Sequence, residues 1–424
     1  MKQFYFFAIT AVMLLSACGG GGKTREEKPT KPTKTDSVMQ PKIKPIVKVY
    51  IENSYSIDGY VNGDTEFKEA VFNYLGKIKR LGISDTLNLF YINRIPIERG
   101  SVVQGSNAIV MQEFVLKLNP TTFRENGGTH KDRQESDLAN IIKSVLSETK
   151  NNEVSILVSD GIFSPGNTDA ANFLSIQREG IAITVDEYLD KYPKSAVIIY
   201  QLSSIFRSNP SKKIFFYNKE NKPIDYTGQI PYYIYVFGDA KYLSELRNKI
   251  PDNDFIGGGV KHTFSIVLGN KQVNYAVRAN PKAYTLSRKA PKTTIEDLKK
   301  DSHTKKVKFA VDVDFSRLLL DENYLQNVDN YENSSRYDLN IKKIDKQDKG
   351  YTHTLYFSSD KVYKGKVIVK LKTARPPWVD KVNDNDGSTA VADKTYGIKY
   401  QIDGIFDAFT QENKYYTEIK ININ

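Results

Sequence analysis

Two apolar runs with strand character end abruptly in polar residues, and both lie in the first half of the chain. The first run, residues 46–51, continues into a polar segment, residues 52–56, and the second run, residues 154–159, ends in Asp160. Ligands of open α/β sheets bind beyond the carboxyl ends of the strands. If the two strands are neighbours in one parallel sheet, the polar segment and Asp160 converge at one rim. The pattern therefore predicts where a site lies before its chemistry is considered.

Strand and helix patterns alternate over residues 46–250, which we predict to be one domain. The strand patterns lie at residues 46–51, 86–92, 154–159, 196–202 and 232–237. Helical spacing of apolar residues is found at residues 65–81, 136–149, 186–191 and 240–249. Residues 109–118 fit a strand or a helix. This alternation favours an α/β fold in which helices flank a mostly parallel sheet.

The chain changes character after residue 255, where strand patterns separated by turn residues follow one another. These patterns lie at residues 263–268, 273–278, 307–314, 337–344, 351–357, 366–371 and 415–423. Residues 255–424 are therefore predicted to be a β-rich domain, a sandwich, with one helix at residues 397–409 packed on it.

The amino terminus has the pattern of an export signal. Lys2 precedes a short apolar run, and Leu15-Ser16-Ala17-Cys18 follows it. This segment resembles the lipobox of bacterial lipoproteins, which implies that residues 1–17 are removed and that Cys18 is acylated and anchored in a membrane. Residues 18–45, rich in glycine and then in lysine, proline and threonine, have the composition of a flexible tether. An ordinary signal peptide with a chance cysteine is the alternative.

Composition narrows the range of functions. The net charge of +11 suggests nucleic-acid binding, but +5 of it lies in residues 1–45 and the remaining +6 is scattered over residues 46–424. The chain has no basic helix and no aromatic–basic RNA motif, so we expect no nucleic-acid partner. Because Cys18 is the one cysteine, the folded part has no disulfide, thiolate metal site or cysteine nucleophile.

The polar segment after the first strand has the chemistry of a cation site. Glu52, Ser54 and Ser56 alternate, so their three side-chain oxygens can face one point. Asp160 can add a second carboxylate, and Ser136, at the predicted start of a helix, another hydroxyl. Carboxylate and hydroxyl oxygens suit a hard divalent cation, Mg²⁺, Mn²⁺ or Ca²⁺. The sequence therefore predicts a divalent cofactor, magnesium or calcium, at the rim.

These residues resemble the metal-ion-dependent adhesion site of the von Willebrand factor type A domain. The family pattern is Asp-x-Ser-x-Ser after the first strand, a threonine at the start of a later helix and Asp-Gly after the fourth strand. Glu52, Ser54 and Ser56 fall on the first motif, Ser136 on the threonine and Asp160 on the last motif. The resemblance covers residues 46–250 and implies binding of a partner whose acidic group completes the metal coordination.

The chain differs from the family pattern at three positions. Glu52 stands in the place of aspartate and moves the carboxylate by roughly 1.5 Å, Ser136 replaces threonine, and Tyr55 replaces a small residue. Thr129, which follows two glycines, is a rival for Ser136. The alternative interpretation is that the polar residues only cap the ends of strands and helices.

We therefore expect a non-enzymatic envelope or surface lipoprotein, anchored by Cys18 to a bacterial membrane, the outer membrane being preferred. Its adhesion-type domain would bind an unknown protein, or a glycan, through a metal. A metal-dependent phosphoester or glycoside hydrolase is the second hypothesis, and an envelope scaffold with a vestigial site is the third. The acidic segment at residues 380–389 is not an EF-hand, because the first ligand position would be Val382.

Overall fold

The computed structural model describes residues 43–103, 109–134, 137–164, 169–345, 350–410 and 413–424. The predicted signal peptide, Cys18, most of the tether and Ser136 lie outside these ranges. Within them, no helix is both long and apolar enough to cross a lipid bilayer.

Strands and helices alternate in the first half of the described chain, and strands dominate the second half. The strands are β1 Ile46–Glu52, β2 Leu87–Ile92, β3 Pro96–Val102, β4 Glu153–Ser159, β5 Ser195–Arg207, β6 Phe216–Tyr217, β7 Pro223–Ile224, β8 Thr227–Asp239, β9 Val260–Val267, β10 Asn274–Val277, β11 Thr285–Leu286, β12 Thr294–Glu296, β13 Val307–Asp314, β14 Tyr331–Asn333, β15 Asp338–Lys343, β16 His353–Ser359, β17 Gly365–Lys372, β18 Asn383–Asp384, β19 Thr395–Tyr396 and β20 Tyr415–Ile423. The helices are α1 Glu66–Arg80, α2 Ile109–Leu116, α3 Pro120–Asn126, α4 His130–Gln134, α5 Leu138–Ser147, α6 Ala170–Lys191, α7 Ala240–Lys249, α8 Glu322–Gln326, α9 Trp378–Lys381 and α10 Ile398–Thr410.

The central sheet has the strand order β3-β2-β1-β4-β8-β5-β9. β1 pairs in parallel with β2 and with β4, so the two strands that carry the predicted rim are neighbours. The other pairings are antiparallel. The predicted parallel sheet is thus confined to β2-β1-β4, and the sheet as a whole is mixed. The reason is the long hairpin of β5 and β8, 13 residues each, which inserts β8 between β4 and β5.

Helices cover both faces of this sheet, which explains why its central strands are almost continuously apolar. On β1, Val47, Val49 and Ile51 belong to one apolar cluster, which also contains the buried residues of α1 and α7. Tyr50 belongs to the cluster on the opposite face, with residues of α5, α6 and α10. The predicted α/β arrangement of a helix-flanked sheet is confirmed.

Two elements that we assigned to the β-rich domain pack with the α/β layer instead. β9 forms the edge of the central sheet by pairing with β5. α10 lies against α6, and the close approach requires a glycine: a Cβ on Gly404 would be 2.5 Å from the backbone oxygen of Arg178. The described chain from Ile43 onward is correspondingly one compact unit.

The remaining strands confirm a β-rich region in the second half of the chain. They form a four-stranded sheet, β10-β13-β16-β15, and a five-stranded sheet, β11-β12-β20-β17-β14. Alternate residues of β13 and β17 are buried, as expected for sheets with one covered face. The buried residues of both sheets contribute to the same apolar cluster.

Candidate metal centre

The rim predicted from sequence forms where β1 and β4 end side by side. Ile51 pairs with Val158, so the next residues, Glu52 and Ser159, are also adjacent. Ser159 Oγ donates a hydrogen bond to Glu52 Oε2. Both side chains are fully buried, and the Glu52 carboxylate therefore faces the interior of the rim rather than bulk water.

Hydrogen bonds connect three of the four described residues of the predicted site, and the fourth, Asp160, lies beside them. Ser54 Oγ is 2.7 Å from Glu52 Oε1 and 2.8 Å from Ser56 Oγ. The Ser56 hydroxyl also lies near the Asp160 side chain, where it counteracts the rise in the pKa of that carboxyl that burial and the Glu52 charge cause. The structure thus brings Glu52, Ser54, Ser56 and Asp160 together where β1 and β4 end.

The electrostatics of Asp160 indicate that the two carboxyl groups share a proton when no metal is bound. Burial and the nearby charge of Glu52 raise the pKa of the Asp160 carboxyl well above its usual range. Its Oδ1 accepts a hydrogen bond from Ile162 N at 3.0 Å. Its Oδ2 is buried and has no hydrogen-bond partner among the described residues. An oxygen of this kind is available to a cation.

The donor set fits a hard divalent cation. Glu52 and Asp160 would contribute two carboxylates, and Ser54 and Ser56 two hydroxyls, which are the ligands that Mg²⁺ and Ca²⁺ prefer. The described residues contain no group of three acidic, histidine or cysteine side chains around one point. A cation here would consequently depend on the hydroxyls and on water or a ligand to complete its coordination.

The predicted fifth ligand, Ser136, lies outside the described residues, but its surroundings correct one expectation. Asp137 occupies the N-cap of α5 and accepts a hydrogen bond from Asn140 N at 3.1 Å. The rival residue, Thr129, accepts a hydrogen bond from Asp132 N at 3.3 Å, and its hydroxyl donates to Asp132 Oδ2 at 2.6 Å. Thr129 therefore caps α4.

The capping interpretation of the rim holds only in part. Ser54 precedes the 3-10 turn Tyr55–Ile57 but makes no side-chain capping bond there, because its hydroxyl joins Glu52 and Ser56. Asp160 does accept a hydrogen bond from the backbone N–H of Ile162, but only one of its two carboxylate oxygens takes part.

A buried ion pair supports the segment that carries the serines, and no sequence pattern indicated it. Arg133 and Asp58 are each 1 % exposed, and Arg133 Nη2 is 2.6 Å from Asp58 Oδ1. Arg133 Nε also donates to Asn53 O at 2.7 Å. Burial raises the pKa of Asp58 to about 6, although the Arg133 charge acts in the opposite direction. Arg133 lies in α4, in a stretch for which the sequence pattern predicted neither a strand nor a helix.

Gly127 fixes the same segment from the other side. Its carbonyl oxygen accepts hydrogen bonds from Asn53 Nδ2 at 2.9 Å and Asn93 Nδ2 at 2.6 Å. A Cβ at Gly127 would lie 1.9 Å from Asn53 Nδ2, so only glycine permits this approach. The loop between α3 and α4 is thereby packed directly on the rim.

A cavity of about 320 Å³ opens onto the two serines of the site. We call it the basic pocket. Its lining residues are Ser54, Tyr55, Ser56, Arg124, His130, Arg133, Gln134, Ser164, Lys213, Tyr217 and Asn221. Tyr55 lies near the rim as predicted, and its ring covers the Arg133 guanidinium at 4.5 Å. Arg124, Lys213 and Tyr217 come from segments in which the sequence pattern indicated no function.

Comparisons of the chain with protein-family models, with curated proteins and with solved structures found no match.

Proposed function

We propose that this protein is a membrane-anchored envelope lipoprotein that binds a protein partner through a divalent cation. The cation would be held by Glu52, Ser54, Ser56 and Asp160. One observation carries the proposal: two fully buried carboxyl groups lie together with two hydroxyls, and Asp160 Oδ2 has no hydrogen-bond partner among the described residues. A divalent cation would neutralise both carboxylates and displace the proton that they share.

The positions of the motifs support the resemblance to the von Willebrand factor type A domain. Glu52 ends the first strand of the described chain, and Asp160 follows the fourth. This is the order that the family pattern requires. By the same resemblance, Ser136 would be a further ligand, and an acidic group of the partner would complete the coordination. Magnesium or calcium is the expected cation.

The surroundings of the site favour an acidic partner. Arg124, Arg133 and Lys213 line the pocket that leads to the serines, and none of the lining residues that the structure describes is acidic. Positive charge around a cleft attracts anionic ligands and accelerates their association. The anchor would be the acylated Cys18 in the outer membrane, with the tether holding the folded part away from the bilayer.

The proposal predicts that partner capture depends on both the cation and Asp160. The purified protein would be incubated with envelope extract and mildly crosslinked, in magnesium or in chelator. We expect crosslinked species that disappear with chelator and with Asp160→Ala, because each removes the cation that joins the two proteins. Asp360→Ala is the matched control, since this aspartate is exposed and should leave capture unchanged. Capture that persists in chelator and with Asp160→Ala would refute the proposal.

A further inference from the structure

Within the described part of the chain, the carboxylates beside the basic pocket do not balance its positive charges. Arg133 is paired with Asp58 at 2.6 Å. Arg124 Nη2 lies 3.9 Å from the second oxygen of Asp58, at the outer limit of an ion pair. Among the residues that the structure describes, Lys213 has no carboxylate partner. With the Arg133–Asp58 pair neutral, Arg124 and Lys213 leave two positive charges at the pocket wall.

One turn carries Lys213 and positions the Arg124 side chain. Asn209 and Ile214 exchange backbone hydrogen bonds of 2.8 and 3.0 Å across the turn that contains Lys213. Arg124 Nη2 donates to the carbonyl oxygen of Lys212 in the same turn at 2.6 Å. Arg124 is thereby fixed beside Lys213, although the two come from distant parts of the chain. A guanidinium that is positioned before the ligand arrives loses less entropy on binding.

The backbone of Lys213 is itself unusual. Its φ of 57° and ψ of 43° place it in the left-handed region, which lysine rarely adopts. A strained residue maintained by the surrounding structure is an indication of function. Here the strained residue carries the charge that has no partner in the described chain.

Aromatic rings form the other walls of the basic pocket. The Tyr55 ring contacts His130 at 5.1 Å between centroids and Tyr217 at 6.4 Å. Rings of this kind reduce the exposure of a bound group to water, and charge interactions strengthen where water is excluded. The basic pocket thus combines positively charged side chains with partly apolar walls.

We propose that the basic pocket binds a dianionic oxyanion group of the phosphate or sulfate class, through Arg124 and Lys213 and without a metal. The two charges of the ligand match the two that remain at the wall. The oxyanion group and the acidic group that coordinates the metal would belong to the same partner; this part of the inference rests on the proposed function. Binding of the oxyanion itself does not depend on the cation.

The test is calorimetric titration of inorganic phosphate into the purified protein in chelator, at fixed ionic strength. Sulfate and acetate are titrated in parallel. We expect saturable binding of phosphate and sulfate and about tenfold weaker binding of acetate, which carries one charge. Lys213→Gly and Arg124→Gln should each weaken phosphate binding by about tenfold or more, the usual effect of losing a charge-assisted hydrogen bond. Phosphoserine and a sugar monophosphate then distinguish a phosphorylated protein from a phosphorylated sugar as the source.

Three variants make the result decisive. Lys213→Gly suits the left-handed backbone, so loss of binding cannot be attributed to unfolding. Lys212→Ala removes a neighbouring exposed lysine and should change phosphate affinity by less than about twofold. Asp160→Asn should leave phosphate binding intact while removing cation binding, which separates this inference from the proposed function. Absence of saturable phosphate binding, or binding that survives both Lys213→Gly and Arg124→Gln, would overturn it.

Discussion

Replacing Arg133 with methionine is expected to lower the free energy of unfolding by about 3–5 kcal/mol, the cost of leaving a buried charge without its partner. Asp58 would lose its ion pair at a position where it is 1 % exposed. The substitution would also remove the hydrogen bond to Asn53 O, and with it the support of the segment that carries Ser54 and Ser56. Urea-induced unfolding at neutral pH measures the change.

Two controls identify the cause of this loss. The double variant Arg133→Met with Asp58→Leu removes both charges, and replacing a buried pair by apolar residues typically recovers most of the stability. Arg178→Ala breaks an ion pair with Asp407 in which both side chains are more than 40 % exposed, so it should cost about 1 kcal/mol or less. A cost for Arg133→Met as small as that for Arg178→Ala would contradict the structural role of the buried pair.

Without divalent cations, the Asp160→Asn variant is expected to be more stable than the wild type at alkaline pH. The pKa of Asp160 is raised in the folded state by burial and by the charge of Glu52. The folded protein therefore holds this proton more firmly than the unfolded chain does. The stability that this proton gives the folded protein is fully present below the ordinary carboxyl pKa of about 4. It is lost as the pH rises from there through the raised pKa of the folded state. Asparagine has no charge to bury and escapes this loss.

The pH dependence is measured by unfolding both proteins over a pH series, first in chelator and then in magnesium. In chelator, the stability difference should grow in favour of Asp160→Asn as pH rises, by about 1.4 kcal/mol for each unit of pKa shift. In magnesium, the wild type should regain stability because the cation neutralises the carboxylates, whereas the variant should not respond. Parallel pH curves for the two proteins in chelator would show that Asp160 does not hold an excess proton.

The position of the candidate site could be predicted from sequence because it depends on local patterns. Residues 46–51 and 154–159 are apolar throughout, which indicates strands buried on both faces, and each run ends in an acid or next to one. That these strands pair in parallel was an inference from their similarity, and the structure confirms it. Glu52, Ser54, Ser56 and Asp160 meet as a direct consequence.

The residues around the site could not be predicted in this way, because they come together only through tertiary packing. Arg133 belongs to a short helix of five residues with no apolar periodicity, and arginine is rarely buried. Lys213 and Tyr217 lie in the connection between β5 and β8. No local sequence pattern indicates that β8 inserts into the sheet between β4 and β5. The roles of these residues depend on strand order, which a single sequence leaves open.

Most of helix α6 could not be predicted from the spacing of apolar residues. We predicted a helix only at residues 186–191, whereas α6 spans Ala170–Lys191. Leu174, Ile181 and Val185 are buried, but Ile176 and Ile183 on the same helix are 61 % and 52 % exposed. Apolar residues on both faces weaken the 3.6-residue periodicity that identifies an amphipathic helix.

The most direct test of the account is calorimetric titration of Mg²⁺, Mn²⁺ and Ca²⁺ into the purified protein, with wild type beside Asp160→Ala. We expect saturable binding at one site in the wild type, accompanied by proton release, because the cation replaces the proton that the carboxylates share. Binding should be absent in Asp160→Ala and retained in the control Asp360→Ala. No heat and no thermal stabilisation from any of the three cations would contradict a metal centre at Glu52, Ser54, Ser56 and Asp160.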